Sequence, residues 1–325
     1  MASRAWHRPM TTQRQAALGL FAITTIWGAT FIWMKQLLDA ADGIIDDHGT
    51  VIVVQIAVGA RFLIGTVLLM SVSRRARHGL VDRAALGPGI LIGAVLYGGF
   101  AVQMVGLDAI GPAVSAFLTS LYIVLTAFIT STLTKDRPSR ILIAGAIMTT
   151  LGAALIQGPP NVTWGPGEAL TVVSAGLFAA HIVLTDRATS DHDPLAIASI
   201  SFVTVTALAS LGALAMMVRG RVEPELLIDL LSTDGVARPL LLLGVFGSFV
   251  ALVMLNMLQR HLHPVNAAVI YAFEPIWATI FALMLDLESF SGWLMVGGGS
   301  ILAGNLLIEL RAPRQTADTE ASSPA

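Results

Sequence analysis

The chain has 325 residues, of which 55% are hydrophobic and only 12% are charged, and its formal net charge is −2. A soluble domain carries about 25% charged residues, so this composition excludes an ordinary soluble protein and indicates a membrane protein. The absence of cysteine excludes disulfides, thiolate metal sites and cysteine nucleophiles. The negative net charge and the lack of a basic patch argue against a nucleic-acid partner.

Apolar runs of about 20 residues, the length needed to cross about 30 Å of hydrocarbon, follow one another along the chain. Strict alternation of apolar and polar residues is absent, so the runs are predicted to be helices. The predicted fold class is therefore an all-α polytopic membrane protein with ten transmembrane helices. The predicted spans are 17–38, 53–72, 86–107, 112–133, 139–156, 167–185, 194–218, 239–261, 264–287 and 292–310.

The spans divide the chain into two five-helix repeats. The first repeat covers residues 17–156 and the second covers 167–310, with an extracytoplasmic linker at 157–166 between them. Residues 1–16 form a polar, basic N-terminal segment that we expect in the cytoplasm. The tail at 311–325 is rich in Ala, Ser, Thr and Pro, a composition typical of disorder, and is also expected in the cytoplasm.

The second repeat matches the first at a constant shift of 152 residues, which places Pro112 opposite Pro264 and Gly152 opposite Gly304. The same shift sets Asp136 opposite Glu288 in a like-charge match. Because each repeat has an odd number of spans, the second repeat must enter the membrane from the opposite side. The sequence therefore predicts inverted repeats, the arrangement found in alternating-access transporters.

The distribution of Lys and Arg predicts the orientation of the chain. With the N-terminus inside, the inner segments carry 14 of these residues and the outer loops carry 4. Both termini are therefore expected in the cytoplasm, and the expected location is a bacterial inner membrane. The longest outer loop, 219–238, holds acidic residues, a proline and several leucines, a pattern that predicts a short helix on the outer membrane surface.

Five short motifs occur in order along the predicted spans. They are WGATF at 27–31, ARF at 60–62, AAHIVL at 179–184, FEPIWA at 273–278 and LES at 287–289. The set resembles the EamA-type branch of the drug/metabolite transporter superfamily over nearly the whole membrane part. The resemblance implies a central cavity lined by helices 1–4 and 6–9, with helices 5 and 10 at the periphery. It also implies the export of a small metabolite or drug-like compound.

Glu274 is the sharpest candidate for a functional side chain. It lies about 10 residues into the ninth span, about 15 Å deep, where a carboxylate costs at least about 2.5–3.5 kcal/mol unless it is neutralised, paired or hydrated. Pro275 lacks an N–H and is predicted to kink the helix, leaving the Tyr271 carbonyl without its helical donor. A carboxyl beside a free carbonyl predicts a site for a proton or a substrate amine. The alternative is a structural ion pair, or a Glu-Pro step that only kinks the helix.

Arg61 lies about 12 Å deep in the second span. It cannot lose its charge, so it must find an anion, carbonyl groups or water. One interpretation is that it grips a substrate carboxylate or pairs with Glu274 in one state of the protein. The other is a permanent bond to helix-end carbonyls that fixes the packing.

Other polar and aromatic residues are candidates for the cavity wall. Trp27 and Thr30 lie at the centre of the first span, where tryptophan is unusual, so Trp27 either stacks on a ligand or packs in the core. His181 either relays protons or packs with a hydrogen bond. In the fourth helix the family usually has a proline opposite Pro275, whereas this chain has Tyr122-Ile123, and the fourth helix is therefore expected to be straighter than the ninth.

Several functions are excluded or disfavoured by what the sequence lacks. No Gly-x-x-x-x-Gly-Lys-Ser/Thr motif occurs, which excludes ATP-driven transport by this chain alone. One mid-membrane glutamate and one histidine in different helices make a poor case for an enzyme, and no cofactor or metal site is predicted.

We therefore predict a secondary transporter, a proton-coupled exporter of a small metabolite or drug-like compound. Uptake or substrate exchange by the same fold is the nearest alternative. A lipid-handling membrane protein and a non-transporting scaffold are the alternatives from other classes. The expected partners are the small-molecule substrate and membrane lipid. The Gly89–Gly93 pattern indicates a helix-packing face or a homodimer surface.

Overall fold

The computed structural model describes residues 10–134, 139–155, 165–219, 223–262, 270–271 and 273–311. All regular secondary structure within these ranges is helical, as the sequence predicts. The described α-helices are α1 (Met10–Ala40), α2 (Asp42–His48), α3 (Thr50–Val72), α4 (Arg74–Gly79), α5 (Arg83–Asp108), α6 (Pro112–Thr119), α7 (Tyr122–Thr134), α8 (Arg140–Leu155), α9 (Pro166–Asp191), α10 (Pro194–Val218), α11 (Leu226–Ser232), α12 (Ala237–Leu242), α13 (Ala251–Leu258), α14 (Glu274–Met284) and α15 (Gly292–Arg311).

Within the described residues, seven helical stretches are long and apolar enough to cross a membrane, which confirms the polytopic class. They are Arg14–Ala40, Thr50–Val72, Arg83–Asp108, Pro112–Leu133, Pro166–Asp191, Pro194–Val218 and Ala237–Leu258. Shorter apolar helices occupy Ile143–Ala153, Glu274–Met284 and Gly292–Leu307, where the sequence predicts the remaining spans.

Parts of the predicted N-terminal segment, linker and tail lie outside the described residues, as does Asp136. The short helix expected in the longest loop is present as α11. The sequence does not anticipate a π-helical segment, Leu243–Val250, which joins α12 to α13.

The ends of the helices meet at two opposite faces. At one face, called the Asp108 face, Lys35 Nζ donates to the Asp108 carbonyl oxygen at 3.3 Å, and Thr50 Oγ1 donates to Asp108 Oδ2 at 2.6 Å. At the other, the Asp193 face, Arg75 Nε donates to Asp193 Oδ2 at 2.9 Å. Asp193 also caps the first turn of α10 by accepting from the Leu195 N–H at 3.0 Å. These bonds tie sequence-distant helix ends into one body.

The pair α8 and α15 packs mainly against itself at the edge of the bundle. Its close approach depends on two glycines. A Cβ on Gly152 would lie 2.6 Å from the Gly297 carbonyl oxygen, and a Cβ on Gly304 would lie 2.7 Å from the Gly145 carbonyl oxygen. The Gly89–Gly93 pattern likewise packs within the chain, against Ile200 and neighbouring residues of α10. These glycines thus allow neighbouring helices to approach one another closely.

The expectation that the fourth helix is straighter than the ninth stays a prediction, because residues 263–269 and 272 lie outside the described ranges, but the fourth span is not one continuous helix. The helix is interrupted between α6 and α7, at Ser120 and Leu121. The Leu121 N–H bonds the Leu118 carbonyl and the Ile123 N–H bonds the Ser120 carbonyl, so the turn is of the tighter three-residue kind. Asn305 Nδ2 donates to the carbonyl and hydroxyl oxygens of Ser120 at 3.4 and 3.2 Å. Polar side chains, instead of a proline, therefore interrupt this helix.

Glu288 lies in the turn between α14 and α15, beside an open depression of about 310 Å³ that Ala109 and Val114 help to line. Its Oε2 accepts from the Ala113 N–H at 2.8 Å and so caps the first turn of α6. Burial raises the pKa of this carboxyl above its ordinary range, although the N–H groups of Ala113 and Val114 act in the opposite direction.

Substitution of Gly304 by alanine is expected to destabilise the fold by about 1–3 kcal/mol, because the new Cβ overlaps the backbone of α8. Gly299→Ala in the same helix is the matched control, since nothing lies within 4 Å of its Cβ position. Thermal unfolding of the purified variants in detergent measures the difference. Equal midpoints for the two variants would contradict this packing of α8 on α15.

The raised pKa of Glu288 predicts a pH-dependent stability. Between the ordinary pKa and the raised one, the folded chain binds more protons at this site than the unfolded chain, so stability falls as pH rises. Glu288→Gln keeps an oxygen acceptor for Ala113 but does not titrate. The melting-temperature difference between wild type and Glu288→Gln is therefore expected to fall from about pH 4 to about pH 8. A constant or rising difference would contradict the burial of this carboxyl.

Candidate functional site

A small cavity of about 70 Å³ lies at the centre of the helices, with room for about two water molecules. Six of the residues that the sequence singles out line it. They are Trp27, Thr30, Tyr122, His181, Tyr271 and Glu274. The other lining residues are Phe31, Leu96, Phe100, Gln103, Thr119, Phe178, Ile182, Leu252 and Leu255. The wall is thus aromatic and aliphatic, with a few polar groups directed inward.

The carboxyl group of Glu274 is the acidic group of the cavity wall. Glu274 is 8% exposed and is the first residue of α14. Tyr122, the first residue of α7, donates its hydroxyl hydrogen to Glu274 Oε2 at 3.1 Å. The two residues are 152 positions apart, which is the repeat shift. The two broken helices therefore begin at matching positions and meet through their first side chains.

The close approach of α1 and α14 holds Trp27 next to this group. A Cβ on Gly28 would lie 2.5 Å from Trp277 Cβ and 2.8 Å from the Ala278 nitrogen, so only glycine permits the contact. The Trp27 and Tyr271 rings meet edge to face with centroids 5.7 Å apart. Thr30 Oγ1 bonds the Trp27 carbonyl at 2.7 Å, so its hydroxyl is occupied within α1.

His181 and Pro275 have local roles in this conformation. His181 is buried in the wall, and its Nε2 lies 3.5 Å from Thr185 Oγ1, one helical turn along α9. Pro275 is buried but does not line the cavity. It stands in the first turn of α14, where a proline is well accommodated because no helical donor is needed there. Pro275 is therefore compatible with the start of this helix at Glu274.

Arg61 lies behind the wall and does not line the cavity. It is 1% exposed, and its Nε donates to Ser248 Oγ at 3.0 Å. The guanidinium carbon lies 4.3 Å from the centroid of the Phe100 ring, which is itself part of the wall. No ion pair joins Arg61 to Glu274 or to any other carboxylate in the described part of the chain.

The sequence reasoning missed two features of the wall. Gln103 Nε2 donates to Thr119 Oγ1 at 3.1 Å, which links α5 to α6 at the cavity. A lone amide in the middle of an apolar run is a signal that would have singled out Gln103. Phe100 and Phe178, whose centroids lie 5.2 Å apart, carry no such signal because phenylalanine is equally common facing lipid.

A buried carboxyl in an apolar cavity at the centre of an all-helical membrane protein is typical of a membrane transporter. A family model, the EamA-like transporter family, matches residues 14–158 and again residues 165–310. The chain belongs to this family, and the resemblance stated from the motifs is confirmed. The double match also gives each half of the chain the same family pattern.

Two relatives extend this comparison. A protein of Archaeoglobus fulgidus described as an uncharacterized transporter is 24% identical over 296 residues, which cover 91% of this chain and 86% of that protein. A crystal structure described only as that of a protein has a TM-score of 0.56 at 20% identity, covering 88% of this chain and 96% of the other. This second likeness concerns the fold alone.

Proposed function

We propose that this membrane transporter is a secondary transporter with ten spans in two inverted repeats, which exports a small metabolite or drug-like compound in exchange for protons. Glu274 is the proton-coupling residue, and Trp27, Thr30, Tyr122, His181 and Tyr271 shape the substrate cavity around it. The observation that carries the proposal is the Tyr122–Glu274 hydrogen bond, a contact between matching positions of the two halves at a buried cavity.

The contacts of α8 and α15 support the inverted arrangement. Gly152 meets Gly297 and Ile301, while Gly304 meets Gly145 and Thr149. At the repeat shift of 152, Gly152 corresponds to Gly304, Gly297 to Gly145 and Ile301 to Thr149. The two sets of contacts are therefore equivalent under exchange of the two helices, as a two-fold axis requires. The late residues of α8 meet the early residues of α15, so the helices are antiparallel. A two-fold axis that relates antiparallel helices lies perpendicular to them, hence in the plane of the membrane.

The paired breaks in the fourth and ninth spans support the location of the site. In many transporters, interrupted helices at corresponding positions of the two repeats mark the substrate and ion site near the membrane midplane. Here α7 begins at Tyr122 and α14 begins at Glu274. The Lys and Arg distribution supports a bacterial inner-membrane protein with both termini on the cytoplasmic side.

The size of the cavity supports a cycle with an occluded state. A pocket for a drug-sized ligand has a volume of about 300–1,000 Å³, several times the volume of this one. In the proposed cycle, Glu274 releases its proton to the cytoplasm and binds the substrate while the cavity is open inward. The cavity then closes and opens outward, where a proton displaces the substrate from Glu274.

Glu274→Gln is expected to abolish proton flux, because glutamine is nearly isosteric but binds no transported proton. The purified protein is reconstituted in liposomes with a trapped pH dye, and proton flux is recorded on addition of amino acids, amines, purines or cationic dyes. Glu168→Gln is the matched control, since Glu168 is also 8% exposed but lies in the first turn of α9, away from the cavity wall. Substrate-dependent flux that persists in Glu274→Gln would contradict proton coupling at this residue.

A further inference from the structure

The eight-residue helix α6 lies between the central cavity and the depression at the Asp108 face. Its last residue, Thr119, lines the cavity, and Val114, near its other end, lines the depression. All residues of α6 are buried, and the helix packs against α1, α9 and α14. In the proposed orientation of the chain, the Asp108 face is the outer face. Helix α6 therefore occupies the direct route from the cavity to the outer solution.

The N-terminus of α6 is held by a carboxyl group from the other half of the chain. Gly111 is the N-cap residue of α6 and has no side chain to cap the helix. Glu288 Oε2 accepts from the Ala113 N–H at 2.8 Å, and the Val114 N–H also bonds this carboxyl. A Cβ on Gly111 would lie 2.8 Å from Glu288 Oε1, so the glycine leaves the space that the carboxyl fills. Glu288 therefore supplies the cap that the first turn of α6 lacks.

The C-terminus of α6 is the interruption at Ser120 and Leu121. Because the regular helical hydrogen bonds give way to three-residue turns there, α6 can change its direction relative to α7 at these two residues. The next residue, Tyr122, bonds the carboxyl of Glu274. A movement of α6 about this interruption therefore starts beside the carboxyl group of the cavity.

The Glu288 carboxyl is accessible to protons from the depression, which Ser289 and Ser291 also line. Helix α6 itself has no ionisable residue. The ionisable residues of the same turn and of the neighbouring helix ends are Asp286, Asp108, Glu168, Lys35 and Asp39. Lys35 pairs with Asp39, and within the described ranges no ion pair joins Glu288 to a cation. The carboxyl thus meets the outer solution without a basic side chain to neutralise it.

We propose that Glu288 is a second proton-binding site, which latches α6 over the cavity while it is protonated and releases the helix when it ionises. This inference rests on the proposed function of the cavity. A protonated carboxyl still accepts from the Ala113 N–H through its carbonyl oxygen and carries no charge into the protein. An ionised carboxyl gains hydration by leaving, and the N-terminus of α6 then swings away about Ser120 and Leu121. This proton comes from the outer solution and returns to it, so it is not transported.

Burial sets the direction of this response. It raises the pKa of Glu288 above its ordinary range, although the N–H groups of Ala113 and Val114 act in the opposite direction. When α6 swings away, the carboxyl returns to water and its pKa falls back toward the ordinary range. The closed conformation therefore binds the proton more tightly than the open one, and a lower external pH favours closure. In the proposed cycle, external acid displaces the substrate at Glu274 and then closes the outer side, which directs the proton-loaded cavity to the cytoplasm.

The accessibility of the cavity from the outer side tests the latch in the full-length protein. Ile182→Cys places a thiol in the cavity wall, and its reaction with a membrane-impermeant maleimide is followed in sealed right-side-out vesicles. Glu288→Gln keeps an acceptor oxygen but never ionises, so its thiol is expected to react slowly at every pH. With Glu288 present, the rate relative to Glu288→Gln is expected to rise from about 1 at about pH 5 to about 5 at about pH 8, the equilibrium equivalent of one helix cap. The ratio at each pH removes the pH dependence of the thiol itself.

Two variants remove the latch in different ways. Glu288→Ala deletes the carboxyl, and Gly111→Ala places a Cβ 2.8 Å from it. Both are expected to react about 5-fold faster than Glu288→Gln at about pH 5. Asp286→Asn is the matched control, because Asp286 is an exposed carboxyl of the same turn whose backbone φ of 52° suits asparagine, and it is expected to keep the wild-type pH profile. A flat or falling ratio for Glu288, or rates in both latch variants equal to that of Glu288→Gln, would overturn the proposal.

The accessibility assay and the flux assay fail separately. If Glu274→Gln abolishes flux while the outer accessibility does not depend on Glu288, the proposed function stands and the latch is wrong. If the accessibility follows Glu288 while Glu274→Gln retains substrate-dependent flux, the latch stands and proton coupling at Glu274 is wrong.

Discussion

A charge that is held away from water in the middle of a membrane protein needs partners, and this need dominates the centre of the molecule. Two ionisable side chains are buried here in different chemical settings. Glu274 has the Tyr122 hydroxyl as a partner, whereas Arg61 has a hydroxyl, a sulfur and aromatic rings. Because the free-energy cost of burying each group is only partly compensated, the interior favours the binding of a ligand or a proton from solution. The incomplete compensation of these two buried groups is therefore the physical link between the fold and the proposed transport.

The helices bury Glu274 and Arg61 without pairing them with each other. Broken helices deliver Tyr122 and Glu274 from the two halves, and the glycine contact at Gly28 brings α1 against α14. The ring of Phe100 has the Arg61 guanidinium over its face and also lines the cavity. In the proposed cycle, the substrate binds at Glu274, and a proton then replaces it there.

The sequence predicted the polytopic class and the family well, because a polar residue within an apolar run is a conspicuous signal. Glu274, His181 and Trp27 were found in that way, and all three line the cavity. The break at Ser120 was missed because its cause is Asn305, which is 185 residues away and comes into contact only in the folded chain. The aromatic wall was also missed, since lipid-facing and cavity-facing phenylalanines look alike in a sequence.

The central claim is that the cavity at Glu274 opens alternately to the two sides of the membrane. The chain has no cysteine, so single cysteines can be introduced without removing others. Gln103→Cys places a thiol in the cavity wall near the Asp108 end of α5. Leu255→Cys places a thiol in the wall near the C-terminal end of α13. Their reaction rates with a membrane-impermeant maleimide are measured in sealed vesicles of both orientations. The account predicts that each wall thiol reacts from both sides, and that acidification or a bound substrate raises its rate from one side while lowering its rate from the other. Reaction of both thiols from the same single side, or rates from the two sides that rise and fall together, would contradict alternating access.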